Sequence, residues 1–107
     1  MEQSLRPQLN DDLAARRHEV VSLCSRLGVR RLELFGSAAR GGPAYDLDFL
    51  VDIGELAPVA YSRAYFALYE GLASLFACPI DLVTPSALQN PYFRERVEQE
   101  KILIYAA

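Results

Sequence analysis

Short apolar runs alternating with segments of helical periodicity predict an α/β (α+β) fold, a small mixed β-sheet flanked by helices. Three observations carry this expectation. The runs 29–35, 46–51 and 80–83 are short and rich in branched or aromatic residues, and the segments around them repeat apolar residues every three or four positions. Gly28, Gly54 and Pro58 stand where one pattern gives way to the other.

The first helix is expected from about Asn10 to Leu27, where Leu13, Val20, Leu23, Cys24 and Leu27 form one apolar stripe. Asn10 or Asp11 would cap it and Gly28 would end it. Val29 to Phe35 reads as the first strand and Asp46 to Val51 as the second, broken off by Gly54. Pro58 opens a long helix that runs to about Phe76, with Tyr61, Tyr65 and Tyr69 four apart on one packing face. Ile80 to Val83 is the third strand. Pro91 opens the last helix, along which Phe93, Val97 and Lys101 recur, and Ile102 to Tyr105 forms a short edge strand or a docked tail.

With 107 residues, 51% of them hydrophobic, residues 1–107 match the size of one compact domain and leave no room for a second. The net charge is −3 and Lys101 is the sole lysine, which argues against a grip on a long nucleic-acid template. Cys24 and Cys78 are far apart and in no metal-binding spacing, so both read as reduced core thiols. No apolar run approaches the roughly twenty residues of a membrane span, and the amino terminus is polar and acidic rather than signal-like. The expected location is cytoplasmic, in a bacterium or archaeon.

The chemistry concentrates between Leu34 and Asp52. An apolar run feeds into Gly36-Ser37, a glycine-rich turn containing Arg40 and Gly41 follows, and Asp46 and Asp48 then stand at the head of the next apolar run. Residues two apart in a strand share a face, so the two carboxylates would point the same way. Their mutual repulsion is relieved by a bound cation or by a raised pKa on one of them, and hard oxygen ligands suit magnesium. Gly36 would let backbone approach a phosphate, Ser37 could cap a short helix or donate its hydroxyl, and Arg40 could neutralise phosphate charge. Asp52 has the same parity but reads as an exposed strand end, and His18, between Arg17 and Glu19, reads as an exposed histidine.

The string Phe35-Gly36-Ser37, Arg40-Gly41 and Asp46-Leu47-Asp48 resembles the signature of the minimal nucleotidyltransferases, small members of the polymerase beta nucleotidyltransferase superfamily. The resemblance extends through Pro79-Ile80-Asp81-Leu82-Val83-Thr84 and from Asn90 to Tyr105. It departs in a shorter turn before Asp46 and in Tyr45, where serine is usual. In that family a third carboxylate joins the first two around the metals, and Asp81 matches it. Independently, Asp81 lies inside a short apolar run, where a charge needs a partner.

The resemblance implies a magnesium-dependent enzyme that transfers AMP from ATP to a hydroxyl of a partner protein. Asp46, Asp48 and Asp81 would serve as catalytic and metal-ligating residues around two Mg2+ ions, and Gly36, Ser37 and Arg40 would hold the triphosphate. Asp81 could also accept the attacking hydroxyl's proton. Such one-domain enzymes are often antitoxins of a HEPN ribonuclease toxin, so a HEPN-family partner is expected, while self-association stays open. The alternative is a weak or inactive nucleotide- or toxin-binding module of the same fold.

Overall fold

Alternating apolar positions bring four short segments into one sheet: β1 (Arg31–Phe35), β2 (Leu47–Asp52), β3 (Ile80–Val83) and β4 (Ile102–Ala106). The computed structural model describes residues 9–41 and 44–107. The strand order is β3-β2-β1-β4. β1 runs antiparallel to β2 and β4, whereas β2 and β3 are parallel and need a crossover, which α4 (Pro58–Phe76) supplies. The expected mixed sheet with flanking helices is the architecture found.

One face of the sheet carries the main core. Leu32, Leu34, Leu47, Phe49, Val51, Leu82 and Ile104 are buried there, beneath Ala64, Leu68, Leu72 and Phe76, which recur every fourth residue along α4. α2 (Arg17–Leu27) adds Val20, Leu23 and Cys24. Tyr61 and Tyr65 pack against this core, whereas Tyr69 is exposed. Removing each large apolar side chain from water contributes about 1.5–3 kcal/mol.

The opposite face is only partly covered. α5 (Pro91–Glu100) and a 3-10 turn (Pro85–Gln89) lie over it, closing a small second core of Phe35, Leu50 and Val97 with Val83, Leu88 and Phe93 around it. Phe93 meets Phe35 edge to face at 5.5 Å. Pro91 begins α5 as expected, and Asn90 caps it, its Oδ1 accepting from the Tyr92 and Phe93 amides at 3.0 and 3.2 Å.

The structure corrects several boundaries. The first helix is two, α1 (Leu9–Ala15) and α2, bent at Arg16 (φ −104°, ψ 10°), although backbone hydrogen bonds from Arg16 to Asp12 and from Val20 to Arg16 span the bend. On the α2 side of that bend, Arg17 Nη2 donates to the Leu103 carbonyl at 2.9 Å, so a cation sits on edge strand β4. The side chain of Asn10 lies outside the described residues. β1 starts at Arg31 because Val29 is spent on ending α2: its amide bonds the Cys24 carbonyl at 3.0 Å, beside Gly28 at φ 73°.

β2 begins at Leu47, so Asp46 precedes it, and the final segment is an edge strand rather than a docked tail. Lys101 follows α5 instead of extending it, its Nζ 2.8 Å from Glu98 and 3.5 Å from Glu33. Cys24 and Cys78 are both outside any disulfide. Burial pushes the Cys24 thiol up to about 11, and Cys78 is half-buried. Among the described residues no helix is long and apolar enough to cross a membrane.

Candidate active site

Strand register sets the acidic residues. Asp81 is the cross-strand partner of Asp48 in the parallel β2/β3 pair, and Phe35 is the partner of Asp48 in the β1/β2 pair. Neighbouring strands lie about 4.8 Å apart, so Asp48 and Asp81 stand side by side on the face that α5 only partly covers. Asp46 is one residue before β2, within a bend, two positions from Asp48. Asp46 and Asp48 are half-buried and Asp81 is exposed.

Electrostatics link these three groups. The Asp48 carboxyl is pushed up to about 6, first by burial, then by the negative charges of Asp46 and Asp81, with Glu100 adding and Arg96 opposing. Carboxylates brought this near one another supply the hard oxygen donors that a divalent cation takes, Asp46 and Asp48 among them. Among the described residues, no three His, Cys, Asp or Glu side chains stand close enough as placed to hold an ion together.

The turn after β1 meets this acidic group from the other side. It forms α3 (Gly36–Ala39), opened by Gly36 at φ 79°. A Cβ on Gly36 would run into the Asp48 carboxylate, so glycine serves both the left-handed backbone and the approach of Asp48. Sequence reasoning gives that space to a phosphate; the structure gives it to an aspartate. Ser37 is the second residue of α3 and half-buried, and the expected capping place is taken by Phe35, whose side chain does not cap. Of the glycine-rich turn, Gly42 and Pro43 lie outside the described residues.

The anion at this turn is Glu100, which the sequence reading passes over. Its Oε1 accepts the Gly36 amide at 2.9 Å and its Oε2 accepts Arg40 Nη1 at 2.8 Å. Arg96 Nε stands 3.9 Å from Oε1. Burial would raise the Glu100 pKa, but the hydrogen bonds from Arg40 and Gly36 and the charges of Arg40 and Arg96 outweigh it and hold the carboxyl below its usual range. A signal was present in the sequence: an acid in the last turn of a helix opposes the macrodipole, so Glu100 must find its partners elsewhere.

Two neighbours complete the surroundings. Tyr65 donates its hydroxyl to the Leu82 carbonyl at 2.6 Å, and its phenol is raised by burial and then by the charge of Asp81. Tyr61, Tyr65, Phe66, Leu82 and Thr84 line a groove of about 440 Å³ between α4 and β3. Asp52 is not the exposed strand end expected: it is half-buried, and its Oδ1 accepts the Gly54 amide at 2.9 Å, holding a turn in which Gly54 has φ 91°. His18 is exposed.

A family model described as "Nucleotidyltransferase domain" matches residues 20–104. Two proteins of Methanocaldococcus jannaschii, both named "Putative protein adenylyltransferase", are each 31% identical over 91 residues, which cover 83% of this chain and 89% of theirs. A solved structure described as a "putative minimal nucleotidyltransferase" superposes with a TM-score of 0.64 at 38% identity, over 87% of this chain and 93% of that one. A chain from a toxin-antitoxin crystal structure with AMP-PNP gives a TM-score of 0.61 at 20% identity, over 85% and 73% of the two chains, and shares the fold.

Proposed function

We propose that this chain, which belongs to the nucleotidyltransferase domain family and is a nucleotidyltransferase, transfers AMP from ATP to a hydroxyl of a partner protein. The observation that carries this reading is the register that sets Asp81 against Asp48, with Asp46 two residues away and the Gly36 turn pressed on the Asp48 carboxylate. The whole of residues 1–107 would form one such domain.

Asp46 and Asp48 would hold magnesium, which when bound supplies positive charge to the phosphoryl oxygens and the leaving pyrophosphate. Two ions remain our reading, with Asp81 as the further carboxylate. Ser37 and Arg40 would hold the triphosphate: Arg40 carries donors beyond the one given to Glu100, and the Ser37 hydroxyl lies on the same turn. The Gly36 amide is engaged by Glu100, so Gly36 serves through shape. Asp81 would accept the proton of the attacking hydroxyl as its oxygen bonds the α-phosphorus and the bond to pyrophosphate breaks.

The acceptor would be a hydroxyl of a HEPN-family toxin, with this chain as its antitoxin. Support comes from fold neighbours described as a toxin-antitoxin pair, one of them with AMP-PNP, and from relatives named for protein adenylyltransfer.

Intact-mass analysis of a HEPN-type partner co-expressed with this chain tests the reading. An increase of one or more AMP units is expected with the wild type, and its loss with Asp81→Asn while the complex still forms. An increase that persists undiminished with Asp81→Asn would make the third carboxylate structural.

A further inference from the structure

Two donors of the turn, the Gly36 amide and the Arg40 guanidinium, are bonded to one side chain, Glu100. The Gly36 amide has one hydrogen, given to Glu100 Oε1 at 2.9 Å, whereas Arg40 gives Glu100 Oε2 one of its five N–H donors at 2.8 Å and keeps the rest. We infer that Glu100 is a positioning residue for nucleotidyl transfer: it fixes the backbone of the Gly36–Arg40 turn and aims the Arg40 guanidinium at the nucleotide phosphates. This rests on the reading that Ser37 and Arg40 face the triphosphate.

Three features support a brace over a carboxylate that phosphate displaces. α3 is a single turn of four residues, too short to hold itself, and no side chain at its cap position supplies an acceptor. Glu100 supplies one from 64 residues away in sequence.

Glu100 is also well anchored. Its side chain is only 11% exposed, and its backbone lies at the junction of α5 with β4. The Lys101 amide there bonds the Val97 carbonyl at 2.9 Å, and β4 pairs with β1, the strand that leads into the turn. Finally, Gly36 touches both Glu100 and Asp48, so the position of the turn and that of the Asp48 carboxylate are coupled. Without Glu100, Arg40, already 56% exposed, would have to be ordered by the nucleotide itself.

Calorimetric titration of a non-hydrolysable ATP analogue with magnesium tests this on the full chain, using Glu100→Ala, Glu100→Gln, Arg40→Ala and the double variant Glu100→Ala/Arg40→Ala. Removing a negative charge beside a polyanion by itself favours binding, so the sign of the change separates the two roles. Glu100→Ala is expected to weaken binding about tenfold, the scale of a charge-assisted hydrogen bond, with Glu100→Gln between it and wild type because one oxygen can still accept from Gly36. The double variant should lose less than the sum of the two single losses, since Glu100 acts partly through Arg40 and partly through the Gly36 amide.

Unchanged or tighter binding by folded Glu100 variants, or additive losses in the double variant, would overturn the inference. If Glu100→Ala does not fold, the near-isosteric Glu100→Gln carries the same test of sign. Should Arg40→Ala bind as wild type does, the assignment of the turn to the triphosphate fails. Should Arg40→Ala weaken binding while both Glu100 variants do not, only the role of Glu100 fails.

Discussion

The two faces of the sheet are built from the same strands by opposite rules. On the face under α2 and α4, β2 presents Leu47, Phe49 and Val51, all buried in one continuous apolar core. On the other face the same strand presents Asp48 and Leu50, and α5 covers Leu50 while the carboxylates stay within reach of solvent. Alternation lets one strand serve both ends: the residues between the acids hold it rigidly, and the acids are held against each other by that rigidity. The packed face contributes stability, whereas on the open face partial burial, and after it the charges of Asp46 and Asp81, raise Asp48 to about 6.

The largest contrast should come from truncation of the packed face. Phe49 is fully buried, so Phe49→Ala is expected to cost about 3–5 kcal/mol, read as a fall in the denaturant midpoint at unchanged slope. A loss below about 1 kcal/mol would mean that this face is not the main core.

A change on the open face should act in the opposite sense. The folded-state pKa of Asp48 lies above its ordinary value of 3.8, so the folded chain binds more protons between these values. The stability tied to its neutral form is therefore fully present below about 4 and lost as pH rises through about 6. Metal-free Asp48→Asn should melt above wild type at pH 7.5 and close to it at pH 4. Melting profiles that run parallel across this range would show that Asp48 is not a repelled carboxylate.

The smallest effect belongs to the turn. If Ser37 faces the triphosphate as proposed, Ser37→Ala would remove one hydroxyl donor, a loss of about 0.5–1.5 kcal/mol, and should raise KM for ATP roughly threefold to tenfold with the melting point kept. No change in KM would take Ser37 out of the site.

How far the sequence could be read follows the same division. The strands and the bounds of α4 at Pro58 and Phe76 were legible because burial on a regular element leaves a period, although the core stripe of α4 is residues 64, 68, 72 and 76 rather than the expected 61, 65 and 69. Asp46, Asp48 and Asp81 were legible because acids inside or at the head of apolar runs need an explanation. Glu100 and Glu33 were not. Glu33 is 5% exposed in the middle of β1, beside Arg31 and Lys101, and Glu100 reaches the turn across 64 residues. Such pairings depend on tertiary approach and leave no local period. The bend at Arg16 was hidden similarly, since α1 and α2 continue one hydrogen-bonded path.

The role proposed for the carboxylates on the open face is nucleotidyl transfer, served at a cost to the metal-free fold at neutral pH. Its most direct test is transfer from α-labelled ATP to a co-purified partner by wild type and Asp48→Asn, with magnesium or with a chelator, on samples shown by melting to be folded. Label is expected on the partner only with wild type and magnesium, because the variant would lose one charged oxygen of the proposed metal site with almost no change of shape. Full labelling by folded Asp48→Asn would contradict the account.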